Sequence, residues 1–391
     1  MFTPIKDRIE YGGAMIGKEE RDAILKVIDS QGGRRWTIGP ESVALEKELA
    51  KKTWVKRAVL VNSGSSALLV GIAALKLPKG SKVIVPAVNF PTAFNSIIQN
   101  GLVPLVVDVE LKTLNIDLME VKKAMNEHND ISAVIAVDIA GNPVDLVLLR
   151  KIVGKKVKII LDNCDGYGTK LRDEFIDAFA DISCVSFHAA HIITMGEGGA
   201  ILTNDEKIAN TALKMREWGR ASGSDKIYKY PGFPEDYRER YVYEEIGYNL
   251  KPLELQCAMG RVQLKKLESF VGKRFNNYQK LKKIFTKYPQ FQVVEAISNS
   301  FPCWFSFPIL CKGIKRSEVM DELERNNIEC RTIFSGNVLR HPAYKDVNAI
   351  QVGNLKNADY VMANGVFLSC HPSLTSEKIN FIGKVIEKLC T

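Results

Sequence analysis

Two histidines stand three residues apart in SFHAAHIITMGEGG (Ser186 to Gly199), in a chain that has only five. Imidazole takes and gives a proton near neutrality, and it is also a common metal ligand. His188 and His191 therefore admit three readings: two ligands of a metal ion, packed core histidines, or the chemical centre of an enzyme. A metal site needs more donors. No third ligand with recognisable spacing accompanies the pair, so no metal is expected. The pair lies between a strand-like run and a Gly-rich turn, the place where a doubly wound sheet builds its site.

Two further stretches have the means to hold a ligand. NSGSSALL (Asn62 to Leu69) passes from a strand pattern into a helix pattern. Gly64 allows close approach, the hydroxyls of Ser65 and Ser66 donate hydrogen bonds, and a helix start presents unpaired N–H groups, which together suit a phosphate. The same wording also makes a plain helix cap. LDNCDG closes another strand with Asp162 and Asp165. Carboxylates there orient a ligand, hold a protonated ring nitrogen, or cap a turn.

These stretches need a frame, and the alternation around them supplies one. From about Arg57 to Asn204 the runs RAVLVN, KVIVPA, VPLVVDV, AVIAVD, VKIILDN, ISCVSF and GAILTN alternate with helical patterns such as SSALLVGIAALKL and DLMEVKKAMNE. Continuous Val/Ile runs are what strands buried on both faces look like, so a mostly parallel sheet covered by helices is predicted, with the site at the carboxyl ends of its strands. Two helical patterns before the sheet flank the loop QGGRRWTIGP, and a long helix is predicted from about Leu253 to Tyr288. After Pro289 the pattern changes to strands at FQVVEA, CWFSFPIL and ECRTIF with helices at RSEVMDELERNN and SEKINFIGKVIEKL, which reads as a smaller α+β domain. The expected division is 1–255 for a large α/β domain with N-terminal helices and 256–391 for the long linking helix and the smaller domain.

Composition narrows the class. The chain has 391 residues, 46% of them apolar, enough for a sizeable core. No stretch reaches the roughly 18 apolar residues of a membrane span and the start lacks a signal-peptide layout, so a cytoplasmic protein without a membrane partner is expected. The eight cysteines are scattered without a C-x-x-C pair, which argues against a zinc cage or a disulfide framework. The formal charge of +9 is spread through helical segments rather than gathered in one tail. That favours solvated helix faces over a nucleic-acid partner, and it suits a multiply phosphorylated small molecule.

Taken in order, NSGSSA, the aromatic Phe90 in VPAVNFPTAF, LDNCD, SFHAAH with GEGGAILTND, REWGR and GYNLKPLELQCAMG resemble the pyridoxal-phosphate-dependent sugar aminotransferases of the DegT/StrS type, over nearly the whole chain. The resemblance implies an aspartate aminotransferase-like α/β fold. In that family the sixth residue of S-F-x-x-x-K is the lysine that holds the cofactor as an imine; here it is His191, and imidazole cannot form that bond. A histidine at this place is similar to the nucleotide-sugar 3-dehydratases, which remove the C3 hydroxyl of 4-keto-6-deoxyhexoses. One subgroup acts on CDP-sugars with a cysteine-ligated iron–sulfur cluster and a partner reductase. Its cysteines would fall near WGRASGSDKIYKYPG, which has none, and Cys164 alone cannot hold a cluster that needs four thiolates. The cluster-free subgroup, the GDP-4-keto-6-deoxymannose 3-dehydratases of colitose synthesis, supplies sugars of lipopolysaccharide O-antigen.

The resemblance therefore implies pyridoxal or pyridoxamine 5′-phosphate without an iron–sulfur cluster, a nucleotide-diphosphate 4-keto-6-deoxyhexose as substrate, and L-glutamate to restore the amine form. His191 is the implied base, and the same imidazole is a candidate for the acid that helps hydroxide leave C3. Asp162 pairs with the ring nitrogen, Phe90 stacks on the ring, and Gly64, Ser65, Ser66 and Ser186 hold the phosphate. Asn249 reaches the phosphate of a partner subunit, in a homodimer with shared active sites. His341 lies in a segment, SGNVLRHPAY, that resembles the substrate-side loop. Arg34, Arg35 and Trp36 either meet diphosphate, sugar or base, or form a surface loop with a buried Trp. Arg220, Lys251 and Arg331 either bind substrate phosphates or the glutamate carboxylate, or are solvated charges. The alternatives to this reading are a nucleotide-sugar aminotransferase using another lysine, a CDP-4-keto-6-deoxyglucose 3-dehydratase working with a reductase, and a scaffold that has lost catalysis.

Overall fold

The structure is a computed structural model that describes residues 7–31, 36–222, 224 and 226–391; Arg34 and Arg35 lie outside the described residues. The helices α1 (Lys18–Gln31) and α2 (Pro40–Thr53) precede a sheet whose strands come from the apolar runs: β1 (Arg57–Val61), β2 (Lys82–Pro86), β3 (Val103–Val107), β4 (Ile131–Val137) and β5 (Lys158–Asp162). Between them run α3 (Gly64–Ala74), α4 (Pro91–Gln99), α5 (Leu118–Glu127) and α6 (Leu146–Val153). A short antiparallel pair, β6 (Lys170–Leu171) and β7 (Glu174–Phe175), comes before β8 (Ile182–Ser186), β9 (Gly199–Thr203) and α7 (Glu206–Arg216).

The long helix α8 (Glu254–Phe285) then leads to β10 (Phe291–Val293), β11 (Ser300–Phe301), β12 (Ser306–Cys311), α9 (Arg316–Arg325) and β13 (Cys330–Thr332). The chain ends through β14 (Ile350–Gln351), α10 (Lys356–Asn364), β15 (Gly365–Ser369) and α11 (Ser376–Cys390). The eight-stranded sheet has the order β1-β9-β8-β5-β4-β2-β3-β14. Its pairings from β8 to β14 are parallel, and β9 runs antiparallel to both neighbours. The smaller domain carries an antiparallel sheet, β10-β12-β15-β13.

Successive residues of one strand feed opposite cores. Val83 and Val85 join Leu68 and Phe94 on one face, while Ile84 joins Leu146 and Leu149 on the other. That is why these strands read as unbroken apolar runs. At the start of α8 the buried Glu254 carboxylate accepts from the N–H groups of Gly39 (2.8 Å), Glu41 (2.8 Å) and Ser42 (3.0 Å), capping α2 from outside. Each such charge-assisted bond contributes about 1.5–3 kcal/mol.

The expected division after residue 255 falls within the first turn of α8. Two other segments cross it. Ile9 bridges to Ile328, and β14 adds to the edge of the large sheet at β3. Among the described residues no helix is long and apolar enough to cross a membrane.

Candidate active site

The carboxyl ends of β1, β5 and β8 converge on the start of α3, and the chain leaves a cleft of about 610 Å³ there. The turn into α3 fits only because two glycines remove side chains. A Cβ on Gly64 would stand 2.6 Å from Ser186 Cβ and 2.9 Å from Cys164 Sγ, and one on Gly199 would stand 2.4 Å from the Ser63 carbonyl oxygen. Ser63 caps α3, its hydroxyl oxygen accepting from the Ser66 N–H at 3.1 Å. Of the first-turn N–H groups, those of Ser66 and Ala67 are taken by Ser63, which leaves those of the cleft-lining Gly64 and Ser65 beside the hydroxyls of Ser63, Ser65 and Ser186.

Asp162 ends β5 as a buried carboxylate, accepting from the Cys164 N–H at 3.3 Å, and burial raises its pKa. Asp165 follows in the next turn; one of its oxygens accepts from the Ala140 N–H at 3.1 Å. Burial first, and the charge of Asp162 second, push Asp165 up to about 8.

His191 comes from the connection between β8 and β9, where its N–H donates to the His188 carbonyl at 3.0 Å. Its ring meets Phe305 and His188 edge to face, with centroids 5.4 and 5.6 Å away, and its Nε2 lies 3.7 Å from Asp165 Oδ1. The Nδ1 atom is buried and has no partner among the described residues. Burial, assisted by His188, holds the imidazole neutral down to about pH 3. Behind it the buried Arg274 of α8 donates to the carbonyls of Phe305 (2.7 Å) and Trp304 (3.4 Å), fixing the strand entry that carries the Phe305 ring.

Of the residues singled out in the sequence, Gly64, Ser65, Phe90, Asp162, Ser186, His191, Arg331 and His341 all line this one cleft. Phe90 is half-exposed with its edge against Phe334, and His341 Nε2 lies 2.7 Å from the Ser335 carbonyl oxygen. Arg331 lies over the Tyr11 ring and pairs with Glu329. His188 stands at the cleft wall, 3.8 Å from Glu197. Ser66 does not line the cleft; its hydroxyl donates to Asn62 Oδ1 at 2.7 Å.

Trp36, Arg220 and Asn249 lie outside the cleft of their own chain. The Trp36 carbonyl accepts from the Glu254 N–H. Arg220 and Lys251 sit over Trp218 at 5.0 and 3.4 Å, and Lys251 donates to Asn249 Oδ1 at 2.5 Å. Sequence reasoning did not single out Tyr11, Ser63, Thr332, Phe334 or Phe367, which also line the cleft. Most of these carry no chemical signature, since an aromatic in an apolar strand reads as core. Among the described residues no three His, Cys, Asp or Glu side chains converge as a metal site would require.

Comparison with known proteins places this geometry. A sequence model of the DegT/DnrJ/EryC1/StrS aminotransferase family matches residues 14–389. The chain belongs to this family. Among DegT/DnrJ/EryC1/StrS relatives it is 35% identical to the lipopolysaccharide biosynthesis protein RfbH of Salmonella typhimurium, over 96% of this chain and 90% of that protein. It is 34% identical to the GDP-4-keto-6-deoxy-D-mannose 3-dehydratase of Yersinia pseudotuberculosis, over 95% of this chain and 96% of that one. The solved structure of the E. coli GDP-4-keto-6-deoxy-D-mannose-3-dehydratase with bound hydrated PLP matches with a TM-score of 0.89 at 31% identity, covering 97% of this chain and all of the other. The fold is that of the PLP-dependent aminotransferases, a large α/β domain followed by a smaller α+β one.

Proposed function

We propose that this protein is a pyridoxamine-phosphate-dependent 3-dehydratase of a nucleotide-linked 4-keto-6-deoxyhexose, and that L-glutamate returns the cofactor to its amine form with release of ammonia. The observation that carries the reading is the cleft's content: it holds the imidazole of His191 and, among the described residues that line it, no lysine. A sugar aminotransferase needs a lysine within reach of its cofactor. Relatives named as 3-dehydratases, similar along nearly the whole chain, support the same choice.

The residues present fit pyridoxal phosphate. Asp162 is a buried carboxylate with no cation within ion-pair distance among the described residues, as a protonated ring nitrogen would need. Phe90 offers an exposed ring above the floor, and the α3 start with Ser63, Gly64, Ser65 and Ser186 forms an anion cradle that a Cβ on residue 64 would fill. When bound, the group supplies an amine for the sugar's 4-keto carbon and a ring that absorbs negative charge. The chain's own part is proton movement and placement. His191 Nε2, neutral and directed into the cleft, takes the proton from the carbon bearing the amine. Ser186 Oγ, which accepts from the His188 N–H at 3.3 Å, keeps its own hydrogen for a phosphate oxygen.

The charge balance supports a homodimer with shared sites. Cofactor and substrate together bring several phosphate charges, yet Arg331 is the one Arg or Lys among the described lining residues, and Asp162, Asp165 and Glu197 share the wall. Asn249, Arg220 and Lys251 lie on a partly exposed strip outside their own cleft, so a second copy supplies them.

The test is incubation with pyridoxal phosphate, L-glutamate and each 4-keto-6-deoxy nucleotide sugar in turn. One sugar should lose the mass of water as a 3-deoxy product with ammonia released, and borohydride should trap no lysyl adduct. A product carrying a C4 amine, or a trapped lysine peptide, would instead establish an aminotransferase.

A further inference from the structure

Asp162 ends β5 and Asp165 follows in the next turn, yet they face different neighbours. Asp162 lies on the cleft floor, whereas Asp165 spends one oxygen on the Ala140 N–H and turns the other toward His191 Nε2, 3.7 Å away. Both side chains are largely shielded, at 13% exposure for Asp165 and 17% for His191, and both line the cleft. That separation is too long for a direct hydrogen bond. It leaves room for one oxygen of a bound molecule to touch both groups.

The charged surroundings are asymmetric. Asp165 faces the acids Asp162 and Asp138 from neighbouring strand ends, with the Arg274 guanidinium of α8 opposing them. His191 faces His188 on its own turn and the same guanidinium, while the neutral-leaning His371 lies across a small cavity. Burial thus makes Asp165 hold a proton to about 8 and His191 decline one down to about 3. Two adjacent groups 3.7 Å apart whose proton affinities are pushed apart in this sense are arranged as an acid beside a base.

We propose that Asp165 is a second catalytic residue, the acid that protonates the departing C3 hydroxyl while His191 takes the proton from carbon. The inference rests on the dehydration reading above. The C–H bond breaks and its proton goes to His191 Nε2; the electron pair released is passed on to break the C3–O bond. The oxygen leaves with the proton of Asp165 as water. An imidazolium and a carboxylate then face each other 3.7 Å apart, and transfer of one proton between them restores both. Nothing is oxidised, and no outside proton donor is needed.

The experiment uses the full chain with Asp165→Asn, which keeps the shape of the neutral acid. In the protein without cofactor, ring NMR should find His191 neutral between about pH 5 and 8 in wild type and variant alike. The infrared difference between wild type and variant should show a carboxylic-acid carbonyl band at neutral pH that fades as pH passes about 8. In the loaded enzyme, dehydration should fall about 100-fold or more. It should fall at least about tenfold further than the exchange with glutamate, which expels no hydroxyl. An imidazolium at neutral pH in the wild type that becomes neutral in the variant would mark an ordinary ion pair and overturn the proposal. Equal losses in both half-reactions would also overturn it, as a structural role predicts. If the wild type dehydrates no nucleotide sugar, the functional reading fails, while the titration and the infrared band still decide which group holds the proton.

Discussion

The cleft floor and the strip from Trp218 to Lys251 are opposites in construction. The floor is made at the ends of buried strands, and its titratable groups, Asp162, Asp165 and His191, are held among neighbours that push them toward their neutral forms. The strip displays Tyr230, Tyr241, Tyr243 and Ile246 to the outside, Ile246 at 93% exposure, and its cations Arg220 and Lys251 sit over the Trp218 ring rather than against carboxylates. Proton transfer depends on placement to a fraction of an ångström, which a packed sheet provides. Attraction of phosphate depends on charge that is not already neutralised, which an open strip provides. Under the shared-site proposal, the floor and the strip would be two differently built halves supplied by two copies of the chain.

The most direct way to break the comparison is at the floor. His191→Asn should lower dehydration about 1,000-fold, measured as product mass per time, with the cofactor still bound. His191→Lys should end dehydration by another route, giving a visible-absorbing imine that borohydride traps on residue 191. Asp162→Asn should weaken cofactor retention about 10- to 100-fold on dialysis, since a buried charge-assisted bond is lost.

The strip can be sharpened by mixing. His191→Asn and Lys251→Ala should each be impaired alone, and their mixture should regain about a quarter of wild-type turnover if sites are shared across a two-fold dimer. No recovery at all would refute the sharing of Lys251 between copies.

The smallest expected effect is on stability. Asp165 keeps its proton in the fold to about 8 while the unfolded chain loses it near pH 4, so its contribution favours folding at low pH and is lost as pH rises toward 8. His191, neutral in the fold down to about 3, works the other way between pH 3 and its ordinary value near 6.5. The two oppose one another below about 6.5, and above it Asp165 acts without that opposition. Asp165→Asn should therefore flatten the fall of the urea midpoint between about pH 6.5 and 8.

The strands of the large sheet were legible because burial on both faces leaves no polar residue inside a run such as RAVLV or VPLVV. β14 was not, since two residues carry no period and their pairing with β3 is decided by tertiary contact alone. β15 follows α10 without an intervening loop, so Gly365 is its only local mark. Within the site, Gly64, Asp162 and Ser186 were readable because each combines a polar or small residue with a strand end. Phe305 and Phe367 were not, because their role follows from which sheet faces the cleft. The pair LDNCDG drew attention to two acids, but spacing alone could not say that Asp165 is the one that faces His191.

The crossings at Ile9, α8 and β14 bear on how ligands come and go. A body joined at three places cannot swing open like a jaw on a single hinge. For the nucleotide sugar proposed above, the half-exposed Phe90 and the exposed Glu197 are then the side chains to test for a part in entry.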